Sequence, residues 1–205
     1  MKSIFNHKYQ HSDLDSKLVL ALERISHIFR VLLWEQTKQY NLSPIQTQIL
    51  IYVYHQPKTD RNITTLARRL NITKATVSDA VKSLVQKKLV KKLSDKEDAR
   101  FFYLELTSKG KELVKKIESW GEKFRRNFKD ISIDKKINLY ETLLQILISF
   151  EEEGIINRNR ICITCRHFQI QKKNRKETYF CQLLNLPLRT EELRVDCPEH
   201  ELAVG

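Results

Sequence analysis

The stretch NITTLARRLNITKATVSDAVKSLVQKKLV, residues 62–90, limits what this chain can fold into more than any other segment. Thr64 to Leu70 read as a short helix, the following NIT as a turn, and Thr73 to Lys87 as a longer helix. Val77, Ala80, Val81 and Leu84 recur at spacings of three and four, which puts them on one face of that second helix. Helix, three-residue turn, helix is the helix-turn-helix arrangement. Residues 89–106, LVKKLSDKEDARFFYLEL, then change period: beyond a polar tip, Phe102, Leu104 and Leu106 alternate with Phe101, Tyr103 and Glu105. That alternation is the pattern of a β-hairpin. Two helices, a turn and a hairpin on short connections make a winged helix-turn-helix.

Helical segments flank this unit on both sides. Residues 12–39 open with Ser12 as the candidate N-cap, and Leu18, Ala21, Ile25, Ile28, Phe29 and Leu32 then give a long amphipathic helix. Ser43, Pro44 and Gln46 carry the capping-box signal of a further helix, which Pro57 closes. Residues 107–128 return to helical spacing through Leu113, Ile117, Trp120 and Phe124. Residues 132–153 read as a helix that is apolar on more than one face, and such a helix needs cover on several sides. A second copy of the chain is the natural cover, so residues 12–39 and 132–153 are expected to form a dimer interface. Only four Gly and four Pro in 205 residues suit a mainly α chain with a small β-hairpin wing.

The net charge of +12 is unevenly spread: between Lys58 and Arg100 stand twelve Lys and Arg against five Asp and Glu. A localised basic stripe is the electrostatic footprint of a polyanion partner. Thr73, Lys74, Thr76 and Ser78 open the second helix with short hydroxyls and one ammonium, groups that reach base edges and phosphates in a major groove. Lys82, Lys87 and Lys88 follow at positions suited to backbone phosphates. The hairpin tip is expected to carry Lys91, Lys92, Lys96 and Arg100, suited to a neighbouring minor groove.

Residues 62–113, from NITTLARRL to TSKGKEL, resemble the MarR family of bacterial transcriptional regulators. The wing pattern of that family, D-x-x-D-x-R followed by hydrophobic residues and LT-x-x-G, is matched here by Asp95, Asp98 and Arg100, then Leu106, Thr107 and Gly110. Two positions depart from it: Ala99 stands where a second Arg is frequent, and Lys96 where proline is common. The resemblance covers residues 12–153. It implies a homodimeric transcriptional regulator on double-stranded DNA, with half-sites of a palindromic operator about one helical turn apart, and it leaves room for a small-molecule effector.

Cys162, Cys165, Cys181 and Cys197, spaced C-x2-C-x15-C-x15-C, are all the cysteines of the chain. They define a second unit, residues 158–205, after a composition break at GIINRNR. A unit of this size needs a staple beyond its apolar content, and four thiolates around one metal centre per chain supply it. Phe168, Tyr179, Phe180, Leu183, Leu184, Leu186 and Leu188 are available to pack around that centre. Zinc is favoured by the Cys-x-x-Cys pair and by CPEH, in which Cys197 and His200 repeat the same spacing. An iron–sulfur cluster is the alternative, on the lone Cys181 and the Cys197–Pro198 pair. A redox disulfide switch is the third reading. His167 and His200 are read as neighbours of the centre rather than its ligands.

Two other functions compete with DNA-dependent regulation. A metal-dependent or redox enzyme lacks support, since no Ser/His/Asp set, Gly-rich loop or His-rich pocket is present in the sequence. A winged helix used only for protein contacts does not account for the hydroxyl- and Lys-rich second helix. No apolar run is long enough to span a bilayer and the N-terminal residues lack the apolar middle of a signal peptide, so a cytoplasmic location without membrane contact is expected.

Overall fold

A computed structural model describes residues 3–6, 13–94, 101–157, 159–173 and 176–203. Helix α1 runs Leu14–Gln39, α2 Pro44–His55, α3 Ile63–Leu70 and α4 Lys74–Gln86. Strands β1 (Val90–Ser94) and β2 (Phe102–Leu106) form the hairpin, followed by α5 (Ser108–Ile117), α6 (Trp120–Arg125) and α7 (Ile133–Glu152). A C-terminal antiparallel sheet, ordered β3-β4-β5, is built from Phe168–Lys173, Lys176–Cys181 and Leu186–Leu188. Among the described residues, no helix is long and apolar enough to cross a membrane.

Local chemistry sets most boundaries. The Ser43 hydroxyl accepts from Gln46 N at 3.2 Å while Gln46 Oε1 accepts from Ser43 N at 3.2 Å, so the capping box at α2 is complete. Asn62 caps α3 by accepting from Thr65 N at 2.9 Å. Asn71 ends α3 at φ 52°, ψ 43°, a left-handed conformation that Asn tolerates better than most residues. The α1 cap differs from expectation: Asp13, not Ser12, accepts from Ser16 N at 3.0 Å, and Ser12 lies outside the described residues. Residues 107–128 are likewise not one helix. Ser119 Oγ donates to Lys116 O at 2.9 Å, competing with the helical ladder, and the chain restarts as α6. The restart turns Trp120 and Phe124 onto Phe29 of α1, with ring centroids 5.8 and 4.2 Å away.

The main core joins α2, α3, α4, the hairpin and α5 through Ile49, Leu50, Val53, Leu66, Val77, Leu84, Val90, Leu104 and Val114, all buried. Each such side chain contributes about 1.5–3 kcal/mol on leaving water. Register Val90↔Leu106 sets the base of the hairpin, and Leu104 N also donates to Arg61 O at 2.7 Å, which ties β2 to the loop before α3. Thr107 fastens this base to α5: its hydroxyl accepts from Gly110 N at 3.0 Å and donates to Lys88 O at 2.8 Å. A Cβ on Gly110 would stand 2.1 Å from Leu89 O, so only glycine fits. Gly110→Ala should therefore destabilise the winged helix by about 3 kcal/mol, the upper part of the overpacking range, read as a lower denaturation midpoint in urea. An unchanged midpoint would show that the backbone yields at no cost.

Of the apolar residues of α7, only Leu144 is fully buried, in a second cluster with Ile161 and Leu193 of the C-terminal unit. That unit thus covers one face of α7, a packing the sequence reading did not foresee. Ile133, Leu139, Ile146 and Phe150 stay exposed, as do Leu14, Leu18, Val19, Ile28 and Trp34 of α1.

Candidate nucleic-acid interface and cysteine centre

Helix α4 is divided by its own periodicity. Val77, Val81 and Leu84 are buried, while Thr73, Lys74, Thr76, Ser78 and Lys82 are exposed. Lys74, Ser78 and Lys82, four residues apart, form one outward row. Thr73 is also the N-cap of α4: its hydroxyl accepts from Thr76 N at 3.1 Å and lies 2.8 Å from Thr76 Oγ1. Both hydroxyls are therefore oriented by the helix start. Lys87 turns inward instead. Its ammonium donates to Asn41 O at 2.5 Å and Gln46 Oε1 at 3.2 Å, which removes it from the phosphate-facing set. Gln46 Nε2 also donates to Ser83 Oγ at 2.9 Å, so α2 holds α4 through the residue that caps α2.

Lys91 and Lys92 are not at the hairpin tip: they pair with Glu105 and Leu104 near its base and are exposed on β1, with the Lys92 ammonium 4.4 Å from the centre of the Phe102 ring. Lys96 and Arg100 lie outside the described residues, as do Asp95 and Asp98 of the wing motif.

The four cysteines, dispersed over 36 residues of sequence, line one cavity together with His167, Phe168, Leu183, Leu184, Leu188 and Glu199. The spacings follow from the backbone. Residues 162–164 make one 3-10 turn, in which Cys165 N donates to Cys162 O at 3.0 Å. The β3–β4 hairpin leaves this turn and returns with Cys181 opposite Phe168, and Gln182 N donates to His167 O at 2.8 Å. The last segment then pairs with the stretch before the turn: Cys162 N donates to Arg194 O at 3.0 Å and Cys197 N to Arg160 O at 2.9 Å. A hairpin and a return strand thus account for both fifteen-residue intervals.

Arg194 N donates to Cys162 Sγ at 3.1 Å, the kind of contact that supports a thiolate. Burial nevertheless pushes the Cys162 thiol up; the Arg194 amide works against this, and charge on Cys197, Cys181 and Cys165 adds to the rise. Cys162 and three further thiols on one cavity wall are a donor set that a cation would complete. Among the described residues, no three His, Cys, Asp or Glu side chains already close on a single ion position. The thiols share a cavity wall without forming a finished cage. Soft sulfur donors of this kind suit zinc or iron–sulfur centres. His200 Nε2 lies 3.0 Å from Thr164 Oγ1, and burial holds its pKa below the usual value. His167 Nε2 is 3.4 Å from Glu201 Oε1.

A set of residues with no signal in the sequence joins the two units: Gln56, Asp60, Arg69, Asn157, Arg160 and Asp196. No motif marks them.

The winged unit is similar to known proteins. Residues 40–100 match the family model described as MarR family. Transcriptional regulator AdcR of Streptococcus pyogenes serotype M6 is 36% identical over 104 residues, covering 51% of this chain and 60% of that one. AdcR of Streptococcus pneumoniae serotype 2 is 30% identical over 95 residues, covering 46% and 63%. The chain therefore spans less than two thirds of the length of these relatives. The S. aureus MepR–DNA complex shares the fold with a TM-score of 0.57 at 23% identity, covering 64% of this chain and 96% of that one.

Proposed function

The chain belongs to the MarR family of winged-helix regulators, and from that premise we propose that it is a homodimeric, sequence-specific DNA-binding transcriptional regulator with a metal-held C-terminal module. Like its relatives it is a regulator and not an enzyme. The observation that carries the DNA reading is the division of α4 between a buried apolar face and an outward row of Lys74, Ser78 and Lys82. In this reading Thr73, Lys74, Thr76 and Ser78 face base edges and phosphates, and Lys82, Lys91 and Lys92 face phosphates. The exposed apolar residues of α1 and α7 support pairing of two copies, since a large uncovered apolar surface marks an interaction site. Residues 12–153 form the DNA-binding and dimerisation unit, and residues 158–205 the module held by Cys162, Cys165, Cys181 and Cys197.

Zinc is the favoured metal and an iron–sulfur cluster the alternative. Either supplies positive charge that relieves the mutual repulsion of the four thiolates. The competing function, a metal or redox protein whose winged helix serves protein contacts, predicts no preference among duplexes.

Titration of the full chain into a duplex recovered from a randomised pool tests the proposal. Two chains should bind per duplex, and Lys74→Ala should weaken binding to that duplex about tenfold more than to a scrambled one. One chain per duplex, or equal losses on both, contradicts it.

A further inference from the structure

The C-terminal module is fastened to the helix-turn-helix by one polar cluster centred on Asp196, the neighbour of Cys197. The Asp196 carboxylate accepts from Arg69 Nη2 of α3 at 2.5 Å, from Arg160 Nε at 2.7 Å and from Gln56 Nε2 at 3.1 Å. Arg160 directs its other nitrogens to the loop between α2 and α3: Nη1 donates to Asp60 Oδ2 at 2.5 Å and Nη2 to Gln56 Oε1 at 2.6 Å. The side chains of Arg69 and Arg160 are only 12% and 15% exposed. Guanidiniums so far removed from water depend on their carboxylate partners, and stranding one is costly. Nearby, burial and the charge of Asp60 push the Tyr52 hydroxyl up to about 12, in keeping with a poorly hydrated junction.

A second contact reaches the turn that positions α4. Asn157 Nδ2 donates to Asn71 Oδ1 at 2.6 Å and to Arg68 O at 3.2 Å. Asn71 is the left-handed residue between α3 and α4. The opposite end of the cluster enters the cysteine cavity through the backbone, where Cys197 N donates to Arg160 O. Any shift of Cys197 therefore moves Asp196 and Arg160, and with them α3.

We propose that the Arg69–Asp196–Arg160 cluster is the link through which metal occupancy of the cysteine cavity sets DNA affinity, with Asp196 and Arg160 as positioning residues. The inference rests on the metal-held reading of the module. A metal on the four thiolates fixes Cys197, which fixes Asp196, which holds α3 and the turn before α4. Without it, residues 194–197 loosen, and DNA binding must order the helix-turn-helix at its own expense.

The test uses the full chain, zinc chloride, a chelator and the selected duplex, with elemental analysis of every sample. Wild type should carry one zinc per chain, and stripping should weaken DNA binding about tenfold, within the range usual for coupled sites. Asp196→Ala and Arg69→Gln should keep one zinc per chain, yet their affinities should change less than about twofold on stripping. Arg69→Gln lies on α3, away from the cysteines, so it remains decisive even if the truncation beside Cys197 disturbs the module. Zinc-loaded variants that respond as strongly as wild type overturn the link, as does a zinc-loaded wild type that does not respond. In both cases the metal reading survives. A wild-type chain that takes up no metal overturns the metal reading, and the link with it.

Discussion

Cys162→Ser or Cys165→Ser should release the metal and unfold residues 159–203 while the winged helix keeps its own melting transition. Among the described residues, only Leu144, Ile161 and Leu193 are buried in the cluster that joins the module to α7. Leu183, Leu184 and Leu186 remain exposed. Ile161 and Leu193, the two of these that belong to the module, cannot order a segment of this length against its conformational entropy. Metal binding can, because a four-thiolate zinc site is worth about 10–16 kcal/mol of apparent free energy, all of it folding free energy where the site does not exist in the unfolded chain. Losing one ligand of the Cys-x-x-Cys turn removes the chelating pair on which the hairpin closes. Limited proteolysis should cut the variants after Gly154 and spare residues 13–152, and chelation of the wild type should give the same fragment. A reduced, metal-free chain whose C-terminal sheet still resists protease would contradict the metal-held module.

The winged unit was legible because its signals are local. Ser43 and Gln46 make their capping box within four residues, and Val77, Val81 and Leu84 need only the period of α4 to find the core. Lys87 was misread for the opposite reason: its ammonium is held by Asn41 O, 46 residues earlier, and nothing in its neighbourhood of sequence records that. The apolar faces of α7 announced that cover was needed but not by what. Part of it is this chain's own C-terminal unit, where Tyr140 Oη donates to Leu193 O at 2.5 Å. The cysteine spacing showed that four thiols belong together, whereas their approach depends on the β3–β4 hairpin and on pairing of residues 194–197 with 160–162. The junction at Asp196 was invisible. Its partner Arg69 is 127 residues away, and Arg and Asp in surface-like sequence contexts read as ordinary solvated charge.

On the proposal above, that junction also changes the route by which the module would act on the rest of the molecule. Residues 158–205 follow directly on residues 132–153, the segment expected to dimerise, so α7 offers one route. The packing of Leu144 and Tyr140 keeps that path in place. The hydrogen bonds of Arg69, Asn71 and Asp60 add a shorter one, straight to the helix-turn-helix.

Affinity for DNA as a function of salt tests the central claim most directly. Lys74, Lys82, Lys88, Lys91 and Lys92 are exposed on α4 and the base of the wing, and a dimer presents each of them twice. Setting about six to ten ammonium groups on phosphates releases as many counterions, so affinity should fall by about 10³–10⁵ between about 50 and 200 mM salt. Base contacts do not release counterions to the same degree. At any one salt concentration, the duplex recovered by selection should therefore stay about 10³-fold or more tighter than a scrambled duplex of equal length. The measurement is a set of dissociation constants for both duplexes across that salt range. Steep, parallel lines separated by that factor are the expected result; a flat dependence, or two lines that coincide, would contradict a regulator that reads DNA with α4 and its wing.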